Sequence, residues 1–306
     1  MNPISRRAAL LAALATLLVA GRPAPAAAAE KLRLLIIDGQ NNHNWKAMTP
    51  PMVASLEATG RFAVDVATTP DAKAPKDAWE SFRPDFSKYE VVLSNYNGQP
   101  WPERVQKALE EYVAGGGGLV IVHAANNAFE KWPEWNKMIG LGWRNNKFGD
   151  RVTLDDSGKV VRTPAGEGPG AGHGPQHAYK VVVRDKDHPV TKGMPETWMH
   201  AQDELYHGQR GPAENMQILA TAHSDKAKGG TGANEPMIWV IPYGKGRVFT
   251  TLLGHVGGGD APAIRCVGFQ TVVARGAEWA ATGKVTIPIP EDFPTADKVS
   301  LSGSKK

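Results

Sequence analysis

The sequence predicts an α/β fold in which a mostly parallel sheet carries helices on its faces. The first observation is a set of short, almost continuously apolar runs, which are typical of strands buried on both faces. These runs occupy residues 32–37, 62–67, 89–94 and 119–123. The second observation is that two stretches with helical spacing, residues 49–59 and 102–114, lie among them in the order β-α-β-β-α-β.

Helix-start and helix-stop residues support this order. Thr49 is predicted to cap the first helix with Pro50 at its first position, and Gly60 is predicted to follow its last turn. The second helix, at residues 102–114, ends at consecutive glycines, residues 115–118. This glycine run precedes its strand and lacks the order of a dinucleotide-binding loop, so it predicts a helix stop and no nucleotide site.

The second half of the chain is less regular. Residues 144–191 are rich in glycine, proline and charged residues, with short β-like pieces such as residues 179–183. We expect this segment to form an irregular, β-rich excursion that covers one rim of the sheet. Further strands and a last helix are predicted at residues 217–222, 237–241, 247–253 and 268–282.

Residues 30–290 are predicted to form one domain, because neither a linker nor a repeat interrupts them. Residues 291–306 are expected to be a tail that either wraps the surface or is disordered. The sequence makes no prediction about the oligomeric state.

Residues 1–29 have the features of an export signal. Arg6 and Arg7 precede an apolar run at residues 8–20, and small residues follow at 27–29. The arginine pair favours the twin-arginine route, with an ordinary secretory signal as the alternative. The apolar run is too short for a membrane span, which takes about 20 residues. We therefore expect a periplasmic or secreted protein that does not span the membrane once the signal is removed.

Charge and cysteine content exclude several classes of protein. The net charge is +4, but three of the 35 basic residues lie in the predicted signal, so the rest of the chain nearly balances its 31 acidic residues. A nucleic-acid-binding protein is therefore not expected. The single cysteine, Cys266, excludes a disulfide framework and is expected to pack at the start of a helix.

Histidines and asparagines stand just beyond several predicted strands. His43 follows the first strand, Asn95 and Asn97 follow the third, His123 ends the fourth, and His255 follows a late strand. Each of them alone is equally well explained as a loop or cap residue. In an open parallel sheet, however, ligands bind beyond the carboxyl ends of the strands. Together these residues predict a site at that rim.

His123 stands where nucleophile-elbow enzymes carry a serine or cysteine, at a strand end followed by small residues. An imidazole at this position excludes covalent acyl chemistry of the glutaminase or hydrolase type. It suits general acid–base catalysis or metal ligation.

A second pair of histidines, His173 and His177, is a weaker candidate. A spacing of four residues binds a metal on a helix, but Gly174 and Pro175 forbid a helix here. A loop site made by these two histidines stays an alternative.

Two adjacent carboxylates, Asp203 and Glu204, form the acidic part of the predicted site. In an extended chain they point to opposite faces, so one is expected to face the site and the other to cap a backbone. The alternative is that both are solvated. Tyr206 and Arg210 follow in the same short stretch and are residue types that hold hydroxyl-rich ligands.

Several ordered motifs resemble the trehalose-utilisation (ThuA-like) family over residues 32–294. In one-letter code they are GGLVIVHAA at 117–125, DHPVTKGMP at 187–195, DELY at 203–206, YGKGRVF at 243–249, LGH at 253–255, GFQ at 268–270, RGAEW at 275–279 and TGKVT at 282–286. The resemblance implies a flavodoxin-like fold similar to class I glutamine amidotransferases, without the cysteine nucleophile. Members often carry a histidine where this chain has Thr250, so the role of that histidine is reduced here or taken by His255.

The resemblance also implies a link to carbohydrate metabolism, and with the rim residues it favours an exported enzyme acting on a disaccharide or keto-sugar. His123 and His255 are expected to be base and acid, or metal ligands, and Glu204 beside Asp203 is expected to be the paired carboxylate. A divalent metal would polarise the carbonyl of such a small-molecule carbohydrate. The residues expected to hold the substrate are His43, Asn95, His173, Tyr206 and Arg210.

Two other functions fit the sequence. A non-catalytic sugar-binding protein of the cell envelope would stack sugars on tryptophans such as Trp45, Trp101 and Trp143. A structural remnant of the amidotransferase fold would act as a partner subunit and would expose an apolar patch in place of a polar pocket.

Overall fold

A computed structural model describes residues 30–258 and 261–303. The predicted export signal lies outside these described residues. Within them, no helix combines the length and the apolar character that crossing a membrane requires.

The first half of the domain alternates strands and helices in the predicted order. Its elements are β1 (Leu32–Asp38), α1 (Trp45–Ala58), β2 (Phe62–Thr68), α2 (Lys76–Ser81), β3 (Val91–Ser94), α3 (Glu103–Ala114), β4 (Gly118–Val122) and α4 (Pro133–Ile139). A short 3-10 turn, His123–Asn127, follows β4 directly. The apolar runs of the sequence therefore correspond to the central strands.

The second half contains most of the strands. Its elements are β5 (Arg151–Leu154), β6 (Val160–Thr163), β7 (Gly172–His173), β8 (His177–Val183), β9 (Thr197–Asp203), β10 (Tyr206–His207), β11 (Gln217–His223), β12 (Asn234–Tyr243), β13 (Gly246–Thr251), α5 (Pro262–Arg265) and α6 (Val267–Thr282). The irregular segment is β-rich, as predicted. The strand β9 and the helices α2 and α4 are additions that the sequence did not predict.

The main sheet joins a parallel half to an antiparallel half. Its strand order is β2-β1-β3-β4-β13-β12-β11-β8-β9. Neighbouring strands from β2 to β13 run parallel, and those from β13 to β9 run antiparallel. The β5–β6 hairpin extends from β12, and β7 pairs with β10 outside the main sheet. The α/β fold class is confirmed.

Helices cover both faces of the parallel half. Arg247 and Gly118 are paired across β13 and β4 and face α6. The Nε of Arg247 donates to the carbonyl of Ala280 at 2.9 Å, and a Cβ on Gly118 would lie 2.6 Å from the same backbone. Gly246 precedes Arg247 and faces the other side, where a Cβ would lie 2.0 Å from the carbonyl oxygen of Val113 in α3.

The antiparallel half curls around α6. This helix packs against β4 and β13 and also against β9, where Trp198 lies 2.4 Å from the Cβ that Gly268 lacks. Because strand direction alternates from β13 to β9, β9 runs the same way as the parallel strands. The residues that follow β9 therefore emerge at the same end of the sheet as those that follow β1 and β4.

The first helix begins earlier than predicted. It starts at Trp45, because the side chain of Asn44 accepts a hydrogen bond from the backbone N–H three residues later. The expectation that Thr49 is the cap is wrong, since Pro50 and Pro51 lie in the second turn. Each of these prolines removes one helical hydrogen bond.

The tail after residue 290 packs along β9 as far as it is described. The backbone N–H of Met199 donates to the carbonyl of Thr295 at 2.8 Å. Phe293 is buried against Trp198, with ring centroids 5.5 Å apart. Leu301 forms a β-bridge with Cys266, which is buried at the start of α6.

A buried carboxylate joins the end of α6 to its neighbours. Glu278 is fully buried and accepts hydrogen bonds from Arg61 Nε at 2.8 Å and from the backbone N–H groups of Thr286 at 2.7 Å and Ile287 at 3.0 Å. Burial raises the pKa of Glu278, but the donors of Thr286, Ile287 and Arg61 together outweigh it, so the net shift is downward. The ionised form is therefore the stable one in the folded protein.

We expect Glu278→Gln to lower the free energy of unfolding by about 2–4 kcal/mol at neutral pH, because Arg61 loses its charged partner. A lowered pKa means that this contribution is present above the ordinary pKa of 4.5 and is lost as pH falls through the folded-state value. Urea midpoints measured from about pH 7 to about pH 3 check this. The difference between the two proteins should shrink at acid pH, whereas exposed Glu80→Gln should change little; a constant difference contradicts the assignment.

Candidate functional site

His123 occupies a sharp turn between β4 and the 3-10 segment. Its φ of 48° is unusual for a residue with a side chain, and such backbone costs about 1–3 kcal/mol. The Nδ1 atom lies 2.7 Å from the carbonyl of Leu252, so it carries the proton and donates to that oxygen. The lone pair of the fully buried Nε2 is left facing the site without a hydrogen-bond partner.

His43 approaches the same point from the loop after β1. Its Nδ1 lies 3.1 Å from the side-chain oxygen of Asn42, and its Nε2 lies 3.4 Å from Oε2 of Glu204. Burial lowers the pKa of His43, and the neighbouring rings of His123 and His255 lower it further, while the bond to Glu204 opposes this shift. The net shift is downward, which favours the neutral ring with an available lone pair.

Glu204 follows β9 and completes the group with His255. The Oε2 atom of Glu204 lies 3.2 Å from Nδ1 of His255 and 3.7 Å from Nε2 of His123. The far side of the His255 ring contacts the Gln176 amide at 2.9 Å. Burial raises the pKa of Glu204, but the surrounding imidazoles hold it far below its ordinary value. The carboxylate is therefore ionised.

These four side chains form a candidate metal centre. One ligand atom from each of His43, His123, Glu204 and His255 lies within 4.8 Å of all the others. Ligands of a zinc ion bond at about 2.0–2.1 Å, which places them about 3–4 Å apart around it. The buried Nε2 of His123 has no hydrogen-bond partner, as expected of a lone pair available to a cation, and Nδ1 of His255 is buried without a partner as well. Three imidazoles and one carboxylate suit a divalent transition metal.

A pocket of about 550 Å³ opens over the candidate metal centre. Its wall is polar and aromatic, and neither lysine nor arginine lines it in the described part of the chain. The lining residues are Asn42, His43, Asn44, Asn127, Trp143, His173, Glu204, Tyr206, His255, Val256, Gly257 and Gly258. This composition fits a ligand that carries many hydroxyl groups and no charge.

His173 belongs to the pocket wall and faces the other oxygen of Glu204. Its Nε2 lies 3.6 Å from Oε1 of that carboxylate, and its Nδ1 lies 2.7 Å from the carbonyl of Gly174. The ring stacks on Tyr206 with centroids 6.0 Å apart, and Trp143 packs edge-on against Tyr206 at 4.6 Å. His173 is partly exposed to the pocket, whereas Tyr206 is buried behind it.

The two adjacent carboxylates divide as the extended-chain geometry suggests. Glu204 faces the site, and Asp203 is buried and accepts hydrogen bonds from the backbone. Its Oδ1 takes the N–H groups of Glu204 at 2.7 Å and His255 at 3.1 Å, and its Oδ2 takes that of Gly254 at 2.8 Å. Asp203 therefore sets the positions of two members of the centre and does not itself reach the pocket.

Arg210 is misassigned as a ligand-binding residue. It is fully buried, and its guanidinium donates to backbone carbonyls of the irregular segment, among them Pro169 at 2.7 Å and Gly149 at 3.2 Å. Asn95 is also away from the pocket, since its amide donates to Thr49 and its oxygen accepts from Asn41. Both residues support loops near the site.

The structure also places His177 and the tryptophans that were candidates for the site. His177 does not join His173 in a two-histidine site, because its ring turns to the carbonyl of Pro175 at 2.8 Å. Of the tryptophans, Trp143 lines the pocket, whereas Trp101 is buried in an aromatic cluster with Phe129. The pocket residue Asn127 was missed; its only sequence signal is its position shortly after the His123 turn.

The family model described as trehalose utilisation (ThuA) matches residues 33–280. The chain belongs to this family. A ThuA-like protein from Parabacteroides merdae is 47% identical, with a TM-score of 0.84 over 89% of this chain and 98% of its own. A ThuA-like protein from Bacteroides uniformis has the same fold at 20% identity, with a TM-score of 0.53 over 87% of this chain and 97% of its own. Comparison with curated proteins finds no match.

Arg210→Gln should lower the free energy of unfolding by about 3–5 kcal/mol, because several buried carbonyls lose their donor. Divalent-metal binding should survive in the folded fraction, since Arg210 touches no member of the candidate metal centre. Urea denaturation and a metal titration check the two statements, and Arg83→Gln, at an exposed arginine, is the control. Loss of metal binding without loss of stability would mean that Arg210 is part of the site.

Proposed function

We propose that this member of the ThuA family is an exported, metal-dependent enzyme that moves protons on an uncharged sugar, such as a disaccharide or its keto derivative. The observation that carries the proposal is the convergence of three imidazoles on the Glu204 carboxylate at the floor of a polar pocket. The family description, trehalose utilisation, supports a sugar as the substrate. Export rests on the signal-like residues 1–29.

The pocket wall supports an uncharged substrate. Sugar phosphates and sugar acids are usually held by arginine or lysine, and the described lining contains neither. The side chains of Asn42, Asn44 and Asn127 offer both donors and acceptors for hydroxyl groups. Trp143 offers a ring for the apolar face of a pyranose. A polar pocket also disfavours the partner-subunit alternative.

The candidate metal ligands and His173 have different roles in this proposal. When bound, a divalent metal would supply Lewis-acid polarisation of a substrate oxygen. One nitrogen of each of the rings of His43, His123 and His255 lies close to the same point. This convergence supports a role as ligands over a role as acid and base. His173 lies outside that point, and its Nε2 can hold a proton against Oε1 of Glu204. His173 is therefore the ring available to exchange a proton with a sugar in the pocket.

Protein freed of metal by a chelator should bind one equivalent of Zn²⁺ or Co²⁺ per chain. His123→Ala and His255→Ala should each weaken that binding more than about 100-fold, because one of the four ligands is lost. Equilibrium dialysis with metal analysis measures both quantities. His188→Ala is a matched control, since this histidine contacts Trp279 and not the candidate metal centre. Equal binding by all variants removes the metal centre.

Turnover of disaccharides and their keto derivatives should require added metal and should fall about 100-fold or more in His173→Ala. Metal affinity should stay near that of the unchanged protein, because no ligand is lost. His177→Ala, two positions beyond the Gly174–Pro175 pair, is the control and should keep both properties. Sugar binding without turnover under all conditions would instead support the sugar-binding protein, and Trp143→Ala should then abolish the binding.

A further inference from the structure

A second buried histidine lies behind the candidate metal centre and takes no part in it. His200 is on β9, is fully buried and donates from Nε2 to Oδ2 of Asp203 at 2.7 Å. Its other ring nitrogen, Nδ1, is buried without a hydrogen-bond partner, and Cys266 at the start of α6 is close enough to affect its pKa. The ring of Tyr179 on β8 packs against it at 5.4 Å. His200 therefore has no route to the pocket except through Asp203.

The bond from His200 completes the set of donors around Asp203. With the backbone N–H groups of Glu204, Gly254 and His255, the carboxylate accepts four hydrogen bonds. Among the described residues, only the bond from His200 comes from a side chain, and it gives Oδ2 a second donor beside the Gly254 N–H. Without this donor, Oδ2 would be held by the Gly254 N–H alone, and the carboxylate would be less firmly fixed.

The segment that carries His255 depends on this carboxylate for its shape. Gly254 has a φ of 118°, and a Cβ there would lie 2.7 Å from the ring of Phe269. The chain is thus held between α6 on one side and the Asp203 carboxylate on the other. A shift of Asp203 would move His255 and Glu204 together, because their N–H groups share the oxygen Oδ1.

Electrostatics favour the same arrangement. Burial lowers the pKa of His200, but the hydrogen bond to Asp203 and the neighbouring Cys266 outweigh this effect and raise the pKa to about 9. A protonated ring gives Asp203 a charged donor, and such hydrogen bonds are shorter and stronger than neutral ones.

We propose that His200 is a positioning residue for the candidate metal centre: by fixing Asp203, it holds Glu204 and His255 at the spacing that a divalent ion requires. This inference rests on the proposed function only in its assumption that the centre binds a metal. It assigns His200 no contact with metal or substrate. The hydrogen-bonded pair His200–Asp203 then connects the end of β9 to the loop after β13.

The test compares two amide substitutions at this position. His200→Gln can place an N–H where Nε2 stands, whereas His200→Asn is too short to reach Oδ2 of Asp203. Metal affinity is measured by competition of Zn²⁺ with a chromophoric chelator, and geometry by the absorption spectrum of bound Co²⁺. Thermal unfolding of the metal-free proteins is followed in parallel. His188→Asn, at a buried histidine remote from the centre, controls for the general cost of a buried amide.

We expect His200→Asn to weaken Zn²⁺ binding about 10- to 100-fold and to alter the Co²⁺ spectrum, with all four ligands still present. His200→Gln should recover most of the affinity and the original spectrum, and His188→Asn should lower thermal stability without changing either. Wild-type affinity and spectrum in His200→Asn would overturn the positioning role alone. Failure of the unchanged protein to bind Zn²⁺ or Co²⁺ would overturn the metal centre and this role with it.

Discussion

The buried carboxylate of Glu204 is surrounded by imidazole rings, and the surrounding fold is arranged so that none of them can turn away. His123 is fixed by the carbonyl of Leu252, His43 by Asn42, and His255 by Gln176. An ionised carboxylate is costly in a buried place unless neighbouring hydrogen-bond donors or a cation compensate it. This constraint explains why the site is built from separate elements that each hold one ring.

The two halves of the sheet contribute different parts of the site. The parallel half supplies His43 and His123 from the loops after β1 and β4, where such sheets bind ligands. The antiparallel half supplies Glu204 after β9. This strand ends at the same edge as β1 and β4, and the curl of the sheet around α6 brings it close to them. The irregular segment contributes His173 to the pocket wall. A flat sheet of the same strand order would keep Glu204 several strand widths away, since neighbouring strands are about 4.8 Å apart.

The sequence predicted the parts of the fold that depend on local pattern. The apolar runs of β1, β3 and β4 identified the central strands, and the rule for parallel sheets then brought His43 and His123 to one edge. Gly60 was recognised as a helix stop, and its φ is positive. The start of α1 was placed late, because Pro50 resembles a first-turn residue and the Asn44 cap was overlooked. β9 was missed, since His200 and Asp203 interrupt its apolar pattern.

Local sequence patterns do not predict contacts between residues that are distant in the sequence. Arg210 is a residue type that binds ligands, and only the three-dimensional structure reveals that backbone carbonyls occupy its guanidinium. The choice between acid–base and ligand roles for His123 and His255 was left open for the same reason. It depends on which ring nitrogen faces Glu204, and that depends on the partners of the opposite nitrogen.

The C-terminal segment covers an edge strand of the main sheet. β9 is the last strand of the main sheet, and Phe293 and Thr295 of the C-terminal segment contact it, with Thr295 accepting from Met199. A chain shortened before this segment would expose an unprotected strand edge that carries Trp198 and ends one residue before Glu204. Open edges of this kind pair with other chains, so loss of the segment would promote aggregation beginning beside the pocket.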